Sequence, residues 1–215
     1  MARRIGDQGK LAKALKTWGT AIASQDDFPS AARLYDEALA LERAMEDHRG
    51  IAMTLLNLGE LAIQDSNPDR AAKLLNESLT IARSIGDLYS EAAALTGLGF
   101  AALLKESSTE AIRSFRLSIE HTRKVGSVYG LINCLEGLSA AAAFTGRPSQ
   151  SATLLGAADK MRDQSRIPRT PSEETLVRRF IDLARSSVSE GAWRKAARQG
   201  EEMRSEEAVA YALQI

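Results

Sequence analysis

One arrangement of large and small residues returns every 40 positions along this chain without a gap, and that constrains its fold more than anything else in it. Laying residues 11–50, 51–90, 91–130 and 131–170 side by side puts Leu15, Leu55, Leu95 and Leu135 in one column. Trp18, Leu58, Leu98 and Leu138 fill the next apolar column, followed at once by Gly19, Gly59, Gly99 and Ser139. Further along each unit, Ala31, Ala71, Ala111 and Ser151 align, then Tyr35, Leu75, Phe115 and Leu155, then Ala38, Ser78, Ser118 and Ala158.

Each unit reads as two helices. In the second unit Ala52, Leu55, Leu56, Leu58 and Ala62 recur at helical spacing, Asn67-Pro68-Asp69 interrupts, and Ala71, Leu74, Leu75, Ser78 and Leu79 resume it. The breaks at Asp27 to Ser30, Ser66 to Asp69, Ser107 to Thr109 and Gly146 to Ser149 are short, which makes paired helices antiparallel neighbours. The Gly or Ser column is expected to face the Ala or Ser that opens the second helix, letting the two backbones approach. A lone hairpin cannot bury both faces, whereas stacked hairpins share one core.

The residues Leu55, Leu58, Gly59, Ala62, Ala71, Leu75 and Ser78 give this repeat a resemblance to the tetratricopeptide repeat, over residues 11–170. The resemblance implies an all-α, right-handed α-solenoid of antiparallel helix hairpins. Two departures stand out. The unit is longer than the family's usual length of about 34 residues, and Arg43, Arg83 and Arg123 stand where a late Pro would end the second helix. The surplus is expected to lengthen the second helix by about one turn and the following loop by a few residues. HEAT and armadillo repeats have similar periods and are the alternative. The Arg column reads as solvated arginines interacting with helix-end carbonyls, with anion or partner binding as the alternative.

Composition narrows the function classes. With 28 basic against 28 acidic residues there is no net field to attract nucleic acid or an anionic membrane. Cys134 is the only cysteine, so an internal disulfide and a cysteine metal cluster are excluded, and its apolar helix makes it a small core residue in a cytoplasmic setting. The opening MARRIGDQGK has no apolar run behind it, and the uncharged stretch Ala92 to Leu104 falls short of the ~20 residues a membrane-spanning helix needs.

Both ends depart from the repeat. Ala2, Arg3, Ile5, Gly6 and Asp7 match Ala82, Arg83, Ile85, Gly86 and Asp87, so residues 1–10 read as the tail of a preceding, truncated unit whose open face could self-associate. After a Pro-containing linker from Arg166 to Pro171, three short helices are expected over 171–215, capping the last hairpin: one capped by Ser172, one after Ser189 and one after Ser205. The run SATLLGAADKMRD with GAWRKAARQGEEMRSEEAVAYAL resembles the C-terminal tetratricopeptide region of bacterial multidomain signalling ATPases and LuxR-type transcriptional regulators, matching at Leu154, Leu155, Gly156, Trp193, Gly200, Met203 and Leu213 among others. That resemblance implies a sensor or scaffold half of a regulator. The chain itself has no Gly-x-x-x-x-Gly-Lys phosphate loop and no basic helix for reading DNA.

Little in the sequence points to catalysis or to a cofactor. His48 and His121 occupy different columns, Cys134 has no neighbouring His, and the acidic pairs sit near helix starts, where the dipole favours them. In the resembled family the first helices line the inner curve, which here marks Lys13, Lys16, Thr20, Met53, Leu56, Asn57, Glu60, Ile63, Thr96, Phe100, Leu103, Leu104, Asn133, Glu136 and Phe144 as the groove. An apolar groove suits an amphipathic or extended segment of a protein partner. Phe100, Leu103, Leu104 and Phe144 could equally pack between hairpins or under the C-terminal helices. Of the family's carboxylate-clamp positions, Lys16 and Asn57 match and Thr20, Ala93 and Gly97 do not, which disfavours a chaperone tail. The expected function is a non-enzymatic interaction module. The alternative is a small-molecule sensor holding a ligand between groove and cap.

Overall fold

The computed structural model describes residues 7–215, so the match of Ala2, Arg3, Ile5 and Gly6 to a preceding unit lies outside the described residues. Eight helices form the repeat: α1 (Gln8–Ala23), α2 (Phe28–Ala44), α3 (His48–Gln64), α4 (Pro68–Ile85), α5 (Leu88–Leu104), α6 (Ser108–Val125), α7 (Val128–Phe144) and α8 (Pro148–Ser165). Their starts recur at near-constant intervals because the links share one design. A residue in the left-handed conformation ends each helix, at Asp26, Glu46, Ser66, Gly86, Glu106, Gly126, Gly146 and Arg166. In most links the following side chain then accepts the amide hydrogen three residues on, as Asp27, Asp47, Asn67, Asp87 and Ser127 do. Ser107 and Arg147 hold the same position without a side-chain bond.

The extra length of the unit lies in the helices. Both members of the second, third and fourth hairpins run 17 or 18 residues. After α4 and α6 the link is only Gly86-Asp87 or Gly126-Ser127, so the longer loop expected there is absent. Arg43 and Arg83 reach carboxylates across hairpins rather than carbonyls, Glu77 at 2.7 Å and Glu91 at 3.6 Å.

The glycine column works differently from the expectation. A Cβ on Gly19, Gly59 or Gly99 would strike Tyr35, Leu75 or Phe115 respectively, so each glycine makes room for the large side chain of its partner helix and not for a small residue. The next hairpin adds a second glycine on the other side. Gly97 abuts Leu75, and Gly137 abuts Phe115. Phe115 is thus seated between two helix backbones, fully buried, with Phe100 edge-on at 5.2 Å. In the fourth hairpin Ser139 replaces the glycine and donates to the Ser151 carbonyl at 2.7 Å.

Successive first helices pack on one another, α1 on α3, α3 on α5 and α5 on α7, while among the described residues the second helices make no comparable contact with each other. The array therefore closes up on the first-helix side, which is its inner face. Three helices follow: α9 (Pro171–Ser186), α10 (Glu190–Glu202) and α11 (Ser205–Ala212). The cap of α9 is Thr170 and not Ser172, because Thr170 and Glu173 exchange bonds in a capping box. Ser189 caps α10 as expected, whereas Ser205 is the first residue of α11.

α10 lies on α8, and α11 on α7 and α8. The α8–α10 crossing brings backbones into contact, since a Cβ on Gly156 would meet the Ala197 carbonyl oxygen and one on Gly200 the Thr153 carbonyl oxygen. α9 lies on the last hairpin too, against α7 and less extensively α8, with Val177, Ile181 and Ala184 beside Trp193 of α10, and it extends onto the inner face, where its Leu176 reaches the apolar clusters built from the second to fourth hairpins.

The Gly137 contact gives a direct check. Gly137→Ala should cost about 2 kcal/mol, since its Cβ would overlap the Phe115 ring in a filled core. Combining it with Phe115→Leu should cost less than the sum of the two single changes, read by urea denaturation in a double-mutant cycle.

Candidate interaction surface

Helical spacing puts Arg49, Met53, Leu56 and Glu60 on one face of α3, Tyr89, Ala93, Thr96 and Phe100 on that of α5, and Tyr129, Asn133, Glu136 and Ala140 on that of α7. These faces look inward, as the Tyr129 hydroxyl shows by donating to Glu173 of α9 at 2.8 Å. Many of the residues expected to form an open apolar groove are closed off. Leu56, Ile63 and Leu103 are buried, and Phe100 and Leu104 are half-buried. Leu176 of α9 packs against the cluster that Leu56, Ile63, Phe100 and Leu104 share, and the Phe144 ring lies tilted against Phe180 of α9 at 5.5 Å. Packing within the array and beneath α9 accounts for this apolar set. Thr96 is also buried, bonded to the Ala92 carbonyl and to Ser118 at 2.8 Å.

Charge occupies the two ends of this face in opposite senses. In the first hairpin Lys16 pairs with buried Glu42 at 2.7 Å, and Glu42 also accepts from Thr54 at 2.6 Å. The equivalent positions of the fourth hairpin hold Glu136 and Arg162, both buried and joined by two hydrogen bonds of 2.7 and 2.9 Å. Between them, Leu56 with Ala82 and Thr96 with Thr122 carry no charge. Glu136 also takes Arg169 at 2.9 Å, and Arg169 pairs with Asp159, which fastens the linker into α9. Lys16 and Glu136 are thus committed within the fold, and Asn133 sits beside Arg162 at 3.4 Å. An open cleft of about 890 Å³ lies over this linker, between Asp159, Arg166, Pro168 and Glu201.

What stays open is a stripe nearer the start of the array. Met53 and Tyr89 are exposed, the latter by 53%, Tyr129 keeps 43% of its surface, and Lys13 and Glu60 are exposed as well. Thr20 is exposed but bonds the Tyr35 hydroxyl at 3.0 Å, and Asn57 is half-buried. Tyr89 and Tyr129 escape sequence reasoning because their column begins with Gly9 and Arg49, which share no chemistry with them. Cys134 is fully buried among Ser118 and Thr96, and burial pushes its thiol up.

Glu60 is the unusual group of the stripe. The residue is exposed, yet the protein crowding around it and the like charge of Glu173 push its carboxyl up to about 7. Burial and the two carboxylates push the Tyr129 phenol up as well.

The sequence model of the tetratricopeptide repeat family matches residues 10–84, which carry the first two hairpins. The same hairpin continues through α8, and the fold is an all-α, tetratricopeptide-like solenoid. Tetratricopeptide repeats generally mediate protein–protein interaction. No curated protein matches the chain. Among the described residues no helix is long and apolar enough to cross a membrane.

The sign of the Glu60 shift sets a pH dependence. A carboxyl whose folded value is raised binds its proton more tightly in the folded state, so its contribution favours folding below about 4.5 and is lost as pH rises through about 7. Glu60→Gln should therefore leave the thermal midpoint unchanged near pH 4 and raise it at pH 8. The gain should be on the order of 1 kcal/mol, because Glu60 is exposed and solvent screens part of the penalty.

Proposed function

We propose that the chain is a non-enzymatic interaction module that binds a segment of a protein partner along the inner face, on the stripe formed by Met53, Tyr89 and Tyr129. The observation that carries this reading is that three consecutive first helices each leave a large adaptable side chain exposed on the face toward which the array curves. Met and Tyr suit such a role, since Met repacks around different partners and Tyr offers a broad apolar face with a polar tip. Lys13 and Glu60 add a charge of each sign beside the stripe. Lys13, Thr20, Met53, Asn57 and Glu60 remain accessible enough to take part, whereas Leu56, Ile63, Thr96, Leu103 and Glu136 act by shaping the floor.

The run around Leu154, Gly156, Trp193 and Gly200, with its resemblance to the ends of bacterial signalling ATPases and LuxR-type regulators, supports placing the module in the cytoplasm as the sensor or scaffold part of such a regulator. The cleft over the linker favours the partner reading over the small-molecule one, because Arg162 and Arg169 on its wall are already neutralised by Glu136 and Asp159.

Peptide-library selection tests the surface. Sequences enriched on the intact protein should lose at least tenfold in affinity for Met53→Glu/Tyr89→Glu, a variant that keeps its helical signal and thermal midpoint because neither side chain belongs to the core. Unchanged affinity in the folded variant would falsify the assignment.

A further inference from the structure

We propose that the inner face beneath α9 is a docking site for an amphipathic helix of a partner protein, one that displaces α9 and carries a basic residue where α9 carries Glu173. The inference rests on the inner-face reading above and names the partner's chemistry. α9 itself shows what the site accepts. Its Val177, Phe180, Ile181 and Ala184 are buried, Leu176 is half-buried, and Arg178, Arg179 and Asp182 face outward, which is one helix face pressed on a curved apolar floor.

α9 is held in a way that permits exchange. α10 meets α8 backbone to backbone at Gly156 and Gly200, and Lys160 donates to the Met203 carbonyl at 3.0 Å. α9 is tied by side chains: Tyr129 to Glu173, Arg179 to Ser66 at 3.2 Å, Arg169 to Glu174 at 3.7 Å and Arg185 to Glu190 of α10 at 2.8 Å, with Val177, Ile181 and Ala184 packed beside Trp193 and Ala196 of α10. It enters through the link 166–170 and leaves through 187–189, and its release uncovers Trp193 of α10 while the backbone contacts of α10 with α8 remain. Its own start is capped by Thr170 and Glu173, a closure it keeps when released.

Charge complementarity supplies the partner's sign. The first turn of α9 brings Glu173 toward a face that already holds Glu60. The nearby cations are engaged elsewhere: Lys16 with Glu42, Arg49 with Asp87 at 3.1 Å, Arg169 with Glu136 and Asp159, and Arg178 with Glu174. Glu60 has no cationic partner among the described residues, and α9 meets it with a like charge. A helix with Lys or Arg in place of Glu173 replaces that repulsion with attraction.

The test uses the full chain and a synthetic peptide of residues 171–186 carrying Glu173→Lys. On saturation, amides of α9 in the protein should exchange hydrogen at least tenfold faster, while those of α10, which loses the α9 contact at Trp193 but keeps its seat on α8, should change less. Glu60→Gln should weaken the peptide about threefold, a surface-pair effect. Phe180→Ala, which loosens the resident helix, should tighten it about tenfold. If Phe180→Ala does not fold, Val177→Ala serves the same purpose. Failure of the peptide to bind, binding without faster exchange in α9, or a doubled mass showing that a second copy's α9 takes the site would each overturn the proposal. The Met53 and Tyr89 selection can fail while α9 still exchanges, so the two readings are separable.

Discussion

Everything in this molecule depends on links that stop and restart a helix at constant spacing. Once a left-handed residue stands at positions 26, 46, 66 and onward, with a capping position directly after it, every helix has nearly the same length and successive hairpins stack in register. Registration is what allows one large side chain to find a glycine on each of two helices. Leu75 meets Gly59 and Gly97, and Phe115 meets Gly99 and Gly137, because both glycines of each pair are placed by the same count. The strain this demands is modest: the left-handed conformation costs about 1 kcal/mol for Asp26, Glu46, Ser66, Glu106 or Arg166, and nothing comparable for Gly86, Gly126 or Gly146.

Registration alone would let hairpins slip by a whole unit, since the apolar columns are nearly interchangeable. The buried charges oppose this. Lys16 with Glu42 and Glu136 with Arg162 occupy equivalent positions with reversed polarity. Pairing the first helix of one end with the second helix of the other would bury Lys16 against Arg162, or Glu42 against Glu136. An uncompensated buried charge costs several kcal/mol, so mispaired hairpins are penalised at both ends while the uncharged middle tolerates either neighbour.

The repeat, its period and its hairpins are legible in the sequence because they follow from residue type at fixed spacing. Columns such as Leu55 or Ala71 reveal the core without any knowledge of geometry. The role of Gly59 is not legible in the same way, because smallness states only that something comes near. Whether a backbone or the Leu75 side chain comes near depends on helix rotation, which spacing does not give. The surplus length is placed only in part: the second helices run long as expected, but the first helices do too and the loops after the second helices stay short, since Glu46 ends α2 in a left-handed conformation that nothing in a glutamate announces. The inner-face residues are found by their columns, yet whether Leu56 or Phe100 is open depends on α9, a segment that begins only at Pro171.

That dependence explains why an amphipathic helix outside the repeat is the least predictable element of such a chain. The Leu176, Val177 and Phe180 stripe specifies that α9 must lie on something apolar, and both the end of the last hairpin and the inner face qualify. α10 claims most of α8, because Gly156 and Gly200 let backbones touch there, and α9 makes no such backbone approach at these glycines. α9 extends onto the inner face, where Ile63, Phe100, Leu104 and Phe144 offer a wider apolar floor and where Glu173 must lie near Glu60. Its position is thus the better of two imperfect choices, apolar burial set against like charges brought together, and a surface settled on such terms is one that a helix of better-matched charge can take over.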